Sequence, residues 1–368
     1  MGILLRARRG IPEFARRALA GEEATIVAFG TSVTLAGHYL ARLPAALAAE
    51  TGNPKLRLVT CGLRGFISLW AAFRVRDDVL PHRPDLVLIE FAHNEVVDEA
   101  VASSNAAIDP IVAQVREVNP RCEFALVYLA MQGHAAAGPS PAMLAQERAA
   151  DYYGFPSIDL ATLTEDLVAA GTASWSAEDV SAITFDGVHH NPITEELLGA
   201  PFAAAFRELL RAPALPGAPV PPVRNRFFSG AWRAPASQYV AGGSWATGVP
   251  HNHDFRNAEA YSGEVLEAMD TGAVLRIAFE GRGVSAWLMG MGRLSVTLSG
   301  RPEPYTVEVA SGHQWTVLPL LPPELAEGSH VVELTVTKRP VIFGDLFVTG
   351  TPLGEPKRGG NGPPGVVP

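Results

Sequence analysis

The hydrophobic pattern of this chain changes period once, and the change falls on a proline-rich stretch. Residues 211–225, RAPALPGAPVPPVRN, hold five prolines and one glycine. Proline lacks the N–H and fixes φ, so such a stretch cannot continue a helix or enter the middle of a sheet. It makes a semi-rigid connection between two units. A length of 368 residues fits about two domains. The sequence therefore divides into a first domain over 1–214, a connector over 215–225, a second domain over 226–352 and a loose Gly/Pro-rich tail over 353–368.

Before the connector, short apolar runs alternate with longer helix-like stretches. The strand candidates are Thr25–Phe29, Leu56–Thr60, Asp85–Phe91, Glu123–Leu129 and Ser157–Leu160. Several are apolar at consecutive positions, as strands covered on both faces must be. The Ala- and Leu-rich stretches Ala36–Glu50, Ile67–Val79, Ala100–Val118, Met143–Tyr153 and Thr194–Leu210 are the predicted helices. This βαβ rhythm predicts an α/β domain: an open parallel sheet with helices on both faces. After the connector come AVLRIAFEG, VSAWLMG, LSVTLSG, YTVEVA, HVVELTVT and VIFGDLFVTG. These are short, partly alternating runs set off by glycine- and proline-bearing turns, the pattern of an antiparallel β-sandwich.

Composition excludes several classes. A hydrophobic share of 48% is enough for two cores and excludes wholesale disorder. A net charge of −9, without a basic stripe, excludes a nucleic-acid footprint. Two cysteines exclude a disulfide framework and Cys-rich zinc modules. Cys61 and Cys122 lie in apolar runs and read as reduced core thiols. No apolar stretch approaches the ~20 residues of a membrane span. The N-terminus MGILLRARRGIPEFARRALA has no continuous apolar region of the secretory kind, so a cytoplasmic location is expected. Its Leu4, Leu5, Ile11, Phe14 and Leu19 have the loose spacing of a short amphipathic helix.

Four segments carry candidate chemistry. The first strand runs into Gly30-Thr31-Ser32 and a helix, the place where α/β sheets bind ligands. There a serine either aims its Oγ into the crevice or caps the helix. It is not the elbow G-x-S-x-G, because Thr34 occupies the last glycine position. After the second strand, Gly65 offers a backbone N–H to the same crevice or serves as a turn glycine. After the third, Phe91-Ala92-His93-Asn94-Glu95 supplies an amide donor, or a loop Asn that caps the next helix. Shortly before the last helix comes Phe185-Asp186-Gly187-Val188-His189-His190. A carboxylate three residues before an imidazole can fix its tautomer and leave the other nitrogen to take a proton. D-x-x-H alone is weak; four such pieces in this order are not expected by chance.

Over residues 24–210 the sequence resembles the SGNH (GDSL-like) hydrolase superfamily. Gly30-Thr31-Ser32 matches G-D-S, Gly65 the block-two glycine, Ala92-His93-Asn94-Glu95 matches G-x-N-D, and Asp186–His189 matches D-x-x-H. Thr31, Ala92 and Glu95 depart from the pattern, and His190 stands where proline often follows. The resemblance implies a flavodoxin-like three-layer domain and serine-esterase acyl transfer without metal or cofactor. It implies Ser32 as nucleophile, His189 as base and Asp186 as its orienter. Ser32 N–H, Gly65 N–H and the Asn94 side chain would form the oxyanion hole. His93 and His190 are added as candidate substrate contacts. The expected substrate is a small-molecule or saccharide ester, foremost an O-acetylated saccharide. The alternatives are an O-acyltransferase of polysaccharide modification and a carbohydrate-binding protein without turnover. Partners in the form of nucleic acid or membrane are not expected.

Other signals carry less. Gly290-Met291-Gly292-Arg293 lacks the third glycine of a dinucleotide loop. His251-Asn252-His253-Asp254 reads as a solvated loop rather than a metal site. Trp232, Trp245, Trp287 and Trp315 read as core before they read as a sugar platform. Gly328-Ser329-His330 leading into VVELTV resembles the penultimate strand of jelly-roll domains found beside some carbohydrate esterases.

Overall fold

A computed structural model describes residues 4–96, 98–133, 138–212, 221–223, 230–248, 264–301, 303–321 and 325–353. The chain resolves into two units, Met1–Ser229 and Gly230–Pro368. Most of the connector, the tail after Leu353 and His251–Asp254 lie outside the described residues.

The first unit is an α/β domain built on a six-stranded sheet. Its strands are β1 (Leu4–Arg6), β2 (Ala24–Gly30), β3 (Leu56–Gly62), β4 (Leu86–Glu90), β5 (Glu123–Tyr128) and β6 (Ser157–Asp159), in the order β1-β6-β5-β4-β2-β3. All neighbours are parallel except β1, which runs antiparallel to β6. Every residue of β2 and β4 is buried, because helices cover both faces. Side chains alternate across a strand. Ile26, Ala28, Leu86, Leu88, Ala125 and Val127 therefore share one core with Phe14, Leu43 and Phe206. Val27, Phe29, Val87, Ile89, Phe124 and Leu126 are buried on the other face.

The helices are α1 (Pro12–Leu19), α2 (Ser32–Ala36), α3 (Leu43–Thr51), α4 (Ser68–Ala71), α5 (Asp98–Val118), α6 (Pro141–Tyr153), α7 (Leu160–Ala169), α8 (Thr194–Leu197) and α9 (Gly199–Arg211). Their ends follow side-chain chemistry. Ser140 Oγ accepts the Met143 N–H ahead of α6, and Asp159 Oδ1 accepts the Thr162 N–H ahead of α7.

Several expectations need correction. The N-terminal amphipathic helix is instead a three-residue edge strand followed by α1, which begins at Pro12, the first helical position proline favours. The helix expected over Ala36–Glu50 breaks at Gly37, in the left-handed region, into α2, a 3₁₀ turn and α3. Ile67–Val79 holds only α4 and one π turn, and Thr194–Leu210 divides into α8 and α9. No helix among the described residues is long and apolar enough to cross a membrane.

The second unit is all antiparallel. Its strands are β7 (Ala231–Pro235), β8 (Val240–Gly242), β9 (Trp245–Gly248), β10 (Val265–Ala268), β11 (Val274–Gly290), β12 (Arg293–Leu298), β13 (Tyr305–Glu308), β14 (Gly312–Pro319), β15 (Gly328–Lys338) and β16 (Val341–Pro352). The two runs AVLRIAFEG and VSAWLMG form one strand, β11, interrupted by a register shift between Gly281 and Gly283. The first part of β11 pairs with β15, and the part after Val284 pairs with β14, while β16 follows its other side. Bulged, two-part pairing of this kind bends a strand between the layers of a sandwich. Its core gathers Leu275, Ile277, Leu288, Val296, Leu334 and Phe343. Trp232 and Trp287 are buried, and Trp245 packs on Phe343 with ring centroids 5.9 Å apart. The Trp315 side chain lies outside the described residues. Gly290-Met291-Gly292-Arg293 is the turn from β11 to β12, and β15 is the penultimate strand.

Candidate active site

The sheet register brings three strand ends level. Gly30 of β2 pairs with Gly62 of β3 on one side and with Glu90 of β4 on the other. The segments that follow these three residues carry Ser32, Gly65 and Asn94. A side chain at position 62 would stand 2.1 Å from the Leu35 nitrogen, so only glycine lets the serine turn pack this closely on β3.

Ser32 is the first residue of α2, where helix geometry leaves the N–H without an intrahelical partner. Thr31 is the N-cap: its hydroxyl accepts the Val33 N–H at 3.3 Å. The capping role is thus taken by Thr31, and the Ser32 hydroxyl is left for other work. Its Oγ lies 2.9 Å from His189 Nε2. On the far side of the ring, His189 Nδ1 lies 2.6 Å from Asp186 Oδ2. A carboxylate only accepts, so Nδ1 carries the proton and Nε2 is free to receive one from Ser32.

The Asp186 loop is closed by its own backbone. Asp186 Oδ1 accepts the Val188 N–H at 3.0 Å and the His189 N–H at 2.7 Å. The Phe185 N–H donates to the His189 carbonyl, and the Gln132 N–H to the Gly187 carbonyl. Burial alone would raise the Asp186 carboxyl; the bonds donated by His189 and Val188 outweigh it and hold the group below its ordinary range. Phe185 stacks on the imidazole, centroids 5.6 Å apart and planes 15° from parallel, while the phenyl ring stays largely exposed.

Gly65 has φ +69°, in the left-handed region that favours glycine. The Asn94 side chain donates to the Phe66 carbonyl at 3.0 Å, which ties the turn after β4 to the turn after β3. Glu95 anchors the same turn from behind. Its Oε1 accepts the Ser68 N–H at 3.0 Å and the Ser68 hydroxyl, so a carboxylate caps α4. Its Oε2 accepts the Ser104 hydroxyl and the Gln146 amide, the latter at 2.9 Å. Burial pushes the Glu95 carboxyl up against these bonds. Arg74, also buried, lies over the rings of Phe29 and Phe66, 5.3 and 5.2 Å from their centroids, and donates to Asp78 at 2.6 Å.

His93 and His190, the two candidate substrate contacts, are not at the surface. Each is 2% exposed, and their rings meet edge to face at 6.3 Å. His190 Nε2 points to the Ala130 carbonyl at 3.5 Å, and burial lowers its pKa to about 4, so the ring is neutral. Neither imidazole is open to solvent, and the His190 ring is directed to the Ala130 carbonyl.

Sequence reasoning passed over Glu90. It is buried beneath the serine turn, where Oε2 accepts from the Thr31 N–H, the Thr31 hydroxyl and the Thr34 hydroxyl. The signal was present, since Glu90 is the one charge that closes the apolar run LVLIE.

No family model and no curated protein matches the sequence. Solved structures do match in fold. The α/β unit followed by the antiparallel unit shares its fold with a solved two-domain esterase. The chain is similar to the crystal structure of a two-domain esterase (CEX) active on acetylated mannans, with TM-score 0.73 and 18% identity over 95% of this chain and 98% of that one. It is equally similar to that esterase co-crystallized with mannopentaose, with TM-score 0.72 and 18% identity over 96% and 98%.

Proposed function

We propose that this protein is a serine carboxylic ester hydrolase that removes acetyl groups from O-acetylated saccharides. The observation that carries the reading is the unbroken relay from Ser32 Oγ through His189 to Asp186, with steps of 2.9 and 2.6 Å. A serine hydroxyl is a weak nucleophile until a base takes its proton. In this reading His189 Nε2 accepts that proton as Ser32 Oγ attacks the acetyl carbonyl carbon. The imidazolium is stabilised by Asp186, which stays ionised. The oxyanion is met by the N–H groups of Ser32 and Gly65 and by the Asn94 amide. Each donor contributes about 3 kcal/mol to the transition state. His189 then gives its proton to the departing sugar oxygen. A water, deprotonated by the same imidazole, releases acetate and frees Ser32.

The saccharide part of the reading is supported by fold likeness across nearly the whole chain to an esterase active on acetylated mannans. The test is acetate release from acetylated mannan, acetylated xylan and p-nitrophenyl esters of increasing chain length, with Ser32→Ala as control. Acetate from a polysaccharide at a higher kcat/KM than from p-nitrophenyl acetate supports the reading. Preference for long acyl chains overturns the acetyl assignment. Turnover that rises with added sugar acceptor, with ester formed on the acceptor, makes the protein an acyltransferase.

A further inference from the structure

The parallel sheet has a second working edge. Ser32 follows the carboxyl end of β2, whereas a cavity of about 270 Å³ opens at the amino end of β5, where Arg9, Arg116, Arg121, Glu123 and Tyr153 line it. Strands of this length separate the two edges by roughly 15–20 Å. The cavity is small for a ligand site but large enough for a small organic anion.

Arg116, in the last turn of α5, is the unusual group. Its guanidinium lies 5.4, 5.8 and 5.5 Å from the ring centroids of Phe124, Tyr153 and Phe155. Its Nε and Nη1 are buried with no hydrogen-bond partner among the described residues. Burial lowers its pKa; Arg9 adds to the effect, while Cys122, Tyr153 and Glu123 oppose it. Three aromatic faces stabilise a cation, but they leave its N–H groups unsatisfied. Glu123 acts on Arg116 through its charge, but its hydrogen bonds go to other groups. Glu123 accepts the Glu13 and Phe14 N–H groups at the start of α1, at 3.2 and 2.8 Å. Glu13 is paired with Arg16 at 3.0 Å. A half-buried guanidinium whose Nε and Nη1 lack hydrogen-bond partners among the described residues is costly, and its planar fork fits a carboxylate or phosphate.

We propose that this cavity binds a small oxyanion-bearing ligand, its carboxylate or phosphate seated on Arg116 and its apolar part against the Phe124, Tyr153 and Phe155 rings. The site is separate from Ser32 and does not depend on the esterase reading.

The test is calorimetric titration of the full chain with inorganic phosphate and, separately, with malonate. The variants are Arg116→Met, which keeps the apolar stem, and Arg116→Lys, which keeps the charge without the fork. Wild type should bind at least one anion with a millimolar or tighter Kd, and the tighter of the two names the oxyanion class. Arg116→Met should weaken binding at least ~10-fold and Arg116→Lys by less. Circular dichroism and thermal melting of each variant report whether the fold is intact. If Arg116→Met does not fold, the Lys variant alone must show weakened binding. No binding by wild type at tens of millimolar of either anion, or unchanged binding by a folded variant, overturns the proposal.

Discussion

Glu90 holds Thr31 twice over: one carboxylate oxygen, Oε2, takes the Thr31 backbone N–H at 3.1 Å and the Thr31 hydroxyl at 2.7 Å. The Thr34 hydroxyl donates to the same oxygen at 2.9 Å, while Oε1 is buried without a hydrogen-bond partner among the described residues. The turn that presents Ser32 therefore rests on a single buried carboxylate oxygen. Burial pushes the Glu90 pKa up to about 7, despite these donated bonds.

A carboxyl raised in the folded state binds its proton more tightly folded than unfolded. Stability then falls as pH rises from the unfolded value of 4.5 through about 7. The cost above that window is on the order of 3 kcal/mol. Glu90→Gln keeps one oxygen to accept from Thr31 and Thr34 and removes the charge. In urea unfolding, the stability of Glu90→Gln relative to wild type should improve steadily between pH 5 and pH 8. A difference independent of pH would show that Glu90 does not titrate there. Glu90→Ala removes the acceptor and should lower kcat at least ~10-fold, by loosening the Ser32 turn.

Ser32→Ala deletes the hydroxyl that faces His189 Nε2. The residue is 6% exposed and caps nothing, so folding should be unchanged. Ester turnover should fall at least ~10³-fold, and covalent labelling by a fluorophosphonate should vanish. Wild-type turnover in this variant would remove Ser32 from the reaction.

Asp186→Asn tests the tautomer. The new amide can still accept the Val188 and His189 N–H bonds through Oδ1, so the loop should keep its shape. Its NH₂, however, now faces Nδ1 and drives the ring proton to Nε2, where the base must be empty. The expected loss in kcat is about 10³–10⁴-fold with little change in melting temperature. A variant as active as wild type would mean that the carboxylate only shapes the loop.

Much of this arrangement can be read from sequence because it depends on local order. β2 and β4 are apolar at almost every position, and their predicted ends fall within one residue of those observed. The serine at the end of β2 and the D-x-x-H segment are visible as spacing; that they meet at 2.9 Å depends on the fold. What escaped depends on tertiary partners. Leu4–Arg6 becomes a strand only because β6 offers an open edge. Gly37 breaks a stretch whose composition otherwise favours helix, and Leu160–Ala169 continues from a strand with no intervening turn to announce it. The partners of Glu90 and Glu95, both buried, are set by the fold and not by local spacing. The D-x-x-H offset picks out His189 rather than His190 as the base, but that the His190 ring is buried depends on the fold.

That pair of histidines separates proton transfer from packing. His189→Ala should abolish turnover, since it removes the group between Ser32 Oγ and Asp186. His190 touches neither; its ring lies against His93 and points to the Ala130 carbonyl. His190→Ala should therefore cost ~10-fold or less in kcat/KM, and its main effect should be on stability, as for other large-to-small core changes. The two also differ in pH dependence. His190 is depressed from 6.5 to about 4 by burial, so the unfolded chain binds its proton first as pH falls. Its contribution to stability is complete above 6.5 and is lost between 6.5 and about 4, a loss on the order of 3 kcal/mol. A non-titrating replacement of similar size, His190→Gln, should flatten that part of the stability–pH curve while esterase activity at pH 7.5 stays within ~10-fold of wild type. If His190→Gln is inactive yet melts like wild type, the buried ring takes part in the chemistry and the division between the two histidines fails.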